Sequence, residues 1–133
     1  MPIRPSHTRL GRREPDLQLI QRAPATIADL SAILDRRLAE EQRPDERIRM
    51  LREAMNQITR TANDAIQAYR RTRAAVNAEL AMPEGDWPHA KRMSVQLDAA
   101  RQDVLTALAQ TRQRYSLAEA GPLGEIESSA QAV

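Results

Sequence analysis

Apolar side chains recur along most of this chain at alternating steps of three and four, the period of a helix with one buried face. The longest run is Ile48, Leu51, Met55, Ile58, Ala62, Ala65 or Ile66, Tyr69, Thr72, Val76 and Leu80. A mean step of 3.5 held for about five heptads keeps one seam facing a partner helix, which is the coiled-coil pattern. Pro44, Asp45 and Glu46 suit its first turn, with proline preset for helix entry and two carboxylates at the positive end of the dipole. The spacing predicts a helix over 45–81, a rod of about 55 Å.

Two prolines and a glycine within residues 82–88, Met-Pro-Glu-Gly-Asp-Trp-Pro, then force a turn. Beyond it Met93, Leu97, Ala100, Val104, Leu108, Thr111, Tyr115 and Ala118 repeat the same period and predict a helix over 88–118. A short loop between two seamed helices implies an antiparallel hairpin. Counting outward from the turn sets Val76 near Val95–Leu97, Tyr69 near Arg101–Val104, and Met55 near Tyr115.

A shorter helix over 25–42 precedes the hairpin, with Ile27, Leu30, Leu34 and Leu38 on one face, Thr26 and Asp29 as a capping arrangement, and Pro44 as its stop. Its expected place is over the open end of the hairpin. Residues 1–23 read as a flexible basic arm, because Pro2, Pro5, Gly11 and Pro15 interrupt each turn. Residues 119–133 read as a flexible acidic tail that lacks any periodic apolar face. The expectation is therefore one all-α helical domain over 24–118: a long, coiled-coil-like antiparallel hairpin, a shorter N-terminal third helix, and extended arms at both ends.

Composition thins the core without changing the class. Of the apolar residues, which make up 41% of the 133, 22 are Ala, and there are one Trp, two Tyr and no Phe. Bulky aromatic anchors are nearly absent, as are the β-branched and aromatic faces a β-sandwich needs. Net charge is only +2, but 19 of the 20 basic residues are Arg. The absence of Cys removes disulfides, thiolate chemistry and Cys-ligated zinc. No stretch reaches the ~18 apolar residues of a membrane span, and no apolar run of signal-peptide length opens the chain. The expected setting is the cytoplasm or the interior of a macromolecular assembly.

Candidate chemistry is sparse. The only histidines are His7 and His89, far apart in sequence, and neither stands beside a nucleophile, so no catalytic residue is assigned. No histidine, cysteine or carboxylate spacing suits a metal, and with four glycines no phosphate-cradling loop is encoded, so no metal or cofactor is expected. The turn Gly85-Asp86-Trp87 reverses the Trp-x-Gly order of secreted WXG-type hairpins, and the chain is not assigned to them.

Two groups remain as binding candidates. Trp87 at the turn and Leu17, Leu19 and Ile20 in the arm are the side chains a protein partner would hold. Arg9, Arg12 and Arg13 in the arm, with Arg70, Arg71, Lys91 and Arg92 toward the hairpin tip, are the residues that would contact phosphates. Arg49 and Glu53, four residues apart, read instead as an intrahelical pair. Ala- and Thr-rich seam positions bury little area, so further burial is expected from a partner. The expectation is a non-catalytic structural or adaptor protein that associates with itself or with other protein subunits, as in a virus-like particle, a connector or a secretion machine. The alternative is an Arg-mediated nucleic-acid-binding or packaging-associated protein.

Overall fold

The computed structural model describes residues 10–115 of the chain. A short 3-10 turn, Gly11–Arg13, leads into three helices packed on one another: α1, Glu14–Glu40; α2, Pro44–Ala81; and α3, Trp87–Tyr115. No strand occurs among the described residues. The start of α2 follows the expected logic, with Pro44 at the beginning of its first turn and Asp45 and Glu46 behind it. Tyr69 meets Asp98 and Arg73 meets Ser94 where α2 and α3 pack on each other. The predicted neighbourhood of Tyr69 and Arg101 is present too, the guanidinium lying 5.4 Å from the ring centroid.

The N-terminal part differs most from expectation. Residues 10–23 are not an extended arm: α1 starts at Glu14, eleven residues before the predicted position, and its 27 residues nearly equal the 29 of α3. It lies along α2 and α3 alike rather than covering one end. Pro15 falls in its first turn, where the lost N–H has no helical partner to serve. Pro24 sits inside the helix, where a proline costs about 3 kcal/mol. The buried row Leu17, Ile20, Ala23, Ile27, Ser31 and Leu34 runs straight across it. Burial of Leu17 and Ile20, together with Leu10, stabilises by about 1.5–3 kcal/mol each, which outweighs the local penalty. Thr26 is mid-helix and caps nothing; its hydroxyl donates to the Arg22 carbonyl. Residues 1–9 and 116–133 lie outside the described part, and with them Arg9, the end predicted for α3 and the acidic tail.

The buried faces of α2 and α3 converge with α1 on one core. On α2 the row Ile58, Ala62, Ala65, Tyr69, Thr72, Val76 and Glu79 keeps the predicted step. Ile66 and Ala68 are buried as well, because this helix faces two neighbours rather than one. Ile48, expected in the seam, is half exposed, and Val95, expected opposite Val76, is 71% exposed. Where α1 gives way to α2, Arg47 reaches back and its guanidinium donates to the carbonyls of Leu38 and Glu41. A residue of α2 thus adds donors to the carbonyls at the end of α1, where the Leu38 oxygen already accepts the Glu41 N–H.

Candidate functional site

The α2–α3 turn gathers more of the predicted site than any other place. Met82 closes α2 in an extended conformation, and its carbonyl accepts two hydrogen bonds, from the Gly85 N–H at 3.1 Å and from the Trp87 indole N–H at 2.9 Å. Glu79 is buried, and its carboxylate crosses the turn to accept the Asp86 N–H at 2.6 Å. Asp86 opens α3: its side chain accepts the His89 N–H and its carbonyl accepts the Ala90 N–H. Gly85 is required by close approach, since a Cβ there would stand 2.2 Å from the Glu79 carbonyl oxygen. The turn is fixed at every one of these points.

This framework decides what Trp87 offers. Its only polar atom is spent on Met82, while the side chain remains 45% exposed. Leu80 and Met82, at the end of α2, are exposed beside it in sequence. The tip therefore presents apolar surface on a rigid support. His89 lies behind, with its ring nitrogens 3.7 Å from Glu14 and 3.9 Å from Asp86, which links the start of α1 to the start of α3.

The other predicted partner residues are redistributed by the extension of α1. Leu17 and Ile20 belong to the core, so they are corrected from docking residues to packing residues. Leu19 alone stays partly exposed, over a small cleft shared with Pro15, Arg22, Thr26 and Thr61.

The arginines are brought toward one end of the bundle but are tied internally. Arg13 and Arg71 both pair with Asp16, each at 3.3 Å. Arg12 and Arg70 also take part in interactions within the chain. Lys91 and Arg92 are exposed in the first turns of α3. Glu14, Glu84 and Asp86 stand among these cations, so the end carries both signs. Away from it, Arg49 pairs with Glu46 and Glu53, as an intrahelical reading requires.

A feature that sequence reasoning missed is the open groove between α1 and α3, of about 820 Å³. Small or uncharged side chains, among them Ala25, Ala28, Ala32, Thr106 and Gln110, make up most of its walls, and Asp35, Asp103 and Arg114 line it as well. Two of its lining residues are engaged by the end of α3: the Tyr115 hydroxyl donates to Asp35 Oδ1 at 2.9 Å and lies 3.1 Å from the Ser31 carbonyl, while Arg114 pairs with the same Asp35. Burial, and then the bond to Asp35, push the Tyr115 hydroxyl above its ordinary pKa. The signal was hidden because alanines at 25, 28 and 32 read as helix formers, not as the wall of a trough. No group of side chains suited to a metal ion occurs among the described residues, and no helix among them is long and apolar enough to cross a membrane. Comparison with protein families, with curated proteins and with solved structures finds no match for this chain.

Proposed function

We propose that this chain is a non-catalytic structural or adaptor subunit that associates with copies of itself or docks onto a larger protein assembly through the α2–α3 tip. The coiled-coil-like pairing of α2 and α3 serves as the arm that carries this tip. One observation supports the reading above the rest: Trp87 is held by its own N–H on a braced turn and stays 45% exposed, with Leu80 and Met82, close by in sequence, exposed as well. Exposed aromatic anchors on rigid supports are what interfaces use, because little side-chain entropy is lost on docking.

Light scattering combined with small-angle scattering across a concentration series tests it. The expected result is an oligomer in which the emission of Trp87, the sole tryptophan, shifts to the blue as the species grows. Trp87→Ala with Leu80→Ser returns the chain to a monomer of unchanged helicity. A chain that stays monomeric throughout, with its indole emission that of a solvated ring, overturns the self-associating form of the proposal. A double variant that still assembles removes the tip from it.

A further inference from the structure

The small cleft between α1 and α2 has a volume of about 300 Å³. Pro15, Leu19 and Ala23 give it apolar walls, with Thr26 and Thr61 beside them. Arg22 lines it from α1 and Asp64 from α2, both exposed, so its opening carries one charge of each sign. A cavity of about 150 Å³ holds a benzene ring, and twice that volume is room for an indole. Leu19, 43% exposed, is the apolar side chain that such a ring would cover.

The α2–α3 tip matches this cleft in chemistry. The N–H of Trp87 is already bonded to the Met82 carbonyl, so the ring needs no acceptor from a receiving site, and apolar walls leave no donor unpaired. Glu84, three residues before Trp87, and Lys91, four residues after it, are both exposed. Four residues along a helix bring Lys91 to the same side of α3 as Trp87. An acid and a base therefore flank the ring, as a base and an acid flank the cleft.

We propose that the tip of one copy seats Trp87 in the α1–α2 cleft of a second copy, with Glu84 toward Arg22 and Lys91 toward Asp64. The proposal rests on the tip being the docking end and goes further by naming the surface that receives it. Trp87 does not reach the cleft of its own chain: Asp64 stands sixteen residues before Leu80 on α2, about 24 Å, and the indole is fixed at Met82. A pairing of two tips would leave both clefts empty and Leu19 uncovered. Because the docking and receiving surfaces differ, each docked copy keeps its own cleft open, and the contact repeats head to tail into a ring or an open chain. One anchor and two charge pairs make a contact at the small end of specific interfaces, so association depends on concentration and weakens with salt.

Two variants of the full chain test this by sedimentation velocity across a concentration series. Thr26→Arg puts a long cation into the cleft from an exposed position of α1, and Trp87→Ala removes the anchor; circular dichroism checks that both keep the helicity of the parent. Each alone is expected to weaken self-association about thirtyfold or more, the scale of an interface hot spot. Mixed in equal amounts they form a one-to-one complex and nothing larger, because only the tip of the first and the cleft of the second remain intact. Lys91→Glu weakens the contact, and adding Asp64→Lys to the same chain restores it. An oligomer that persists in Thr26→Arg but is lost in Trp87→Ala overturns the cleft as the receiving site and leaves the tip as the docking end. Loss in both variants with no complex in their mixture, or no rescue by the charge exchange, overturns the proposal as well. A parent that stays monomeric overturns it together with the self-associating form of the reading on which it rests.

Discussion

Replacing Thr72 with valine is expected to stabilise this protein. Thr72 is fully buried in the middle of α2, and its hydroxyl has no hydrogen-bond partner. Thr111, almost as buried on α3, shows the alternative, since its hydroxyl donates to the Ala107 carbonyl at 2.9 Å. In the unfolded chain both hydroxyls are hydrated, so only Thr72 loses its bonds on folding. Burying an unpaired hydroxyl costs about 1–3 kcal/mol in proteins. Valine has the same branched shape and nearly the same helix propensity, so shape and backbone terms cancel. A gain of about 1–2 kcal/mol follows for Thr72→Val, whereas Thr111→Val is neutral or loses up to about 1 kcal/mol. Urea unfolding followed by circular dichroism at 222 nm measures both, with the m-value required to stay constant. In melting temperature the Thr72 gain amounts to about 3–5 °C per kcal/mol. A Thr72→Val protein no more stable than the parent refutes the reasoning, because it means that the hydroxyl finds a partner in solution.

Further outcomes follow from α1, the turn and the tyrosines. Ile20→Ala should cost about 3 kcal/mol by chemical denaturation, and Leu19→Ala within about 0.5 kcal/mol; similar small losses at both would restore a free arm to residues 10–23. Gly85→Ala should cost about 1–3 kcal/mol in a thermal melt, since its Cβ is aimed at the Glu79 carbonyl; an unchanged melt would show that the turn yields easily. Burial first, and then hydrogen bonds to Asp98 and Asp35, raise the pKa of Tyr69 and Tyr115 above 10.0 in the folded chain. Folding therefore favours the neutral phenols: the associated stability is complete below pH 10 and is lost as pH rises through the folded-state values. Absorbance at 295 nm should show both tyrosines ionising later in the native chain than in urea, and coincident titrations would refute the linkage.

What the sequence conveyed depended on whether local and tertiary signals agreed. At α2 they do: Pro44, Asp45 and Glu46 start the helix, and the period from Ile58 to Val76 continues without interruption. At α1 they conflict. Pro15 and Pro24 argue against a helix locally, while the row from Leu17 to Leu34 argues for one, and the burial supplied by two neighbouring helices decides for the row. For that reason Leu17 and Ile20, which read as docking residues from sequence alone, pack in the core. The last turn of α2 carries a subtler shift, since the buried position is taken by Glu79 rather than Leu80. A carboxylate that bonds across a turn has no periodic signature, so the exposure of Leu80, and with it the apolar tip, is visible only in three dimensions. Trp87 was legible by type, but the engagement of its N–H by a carbonyl five residues earlier was not.

The guanidinium of Arg47, donated by one helix to the last carbonyls of the one before it, ties the closing turn of α1 to the opening turn of α2. The last turn of α1 is thereby held from two sides, by the Glu41 N–H on the Leu38 carbonyl and by a side chain of its successor. A substitution that shortens Arg47 therefore removes a contact from both helices at once, at a corner spanned by only residues 41–43.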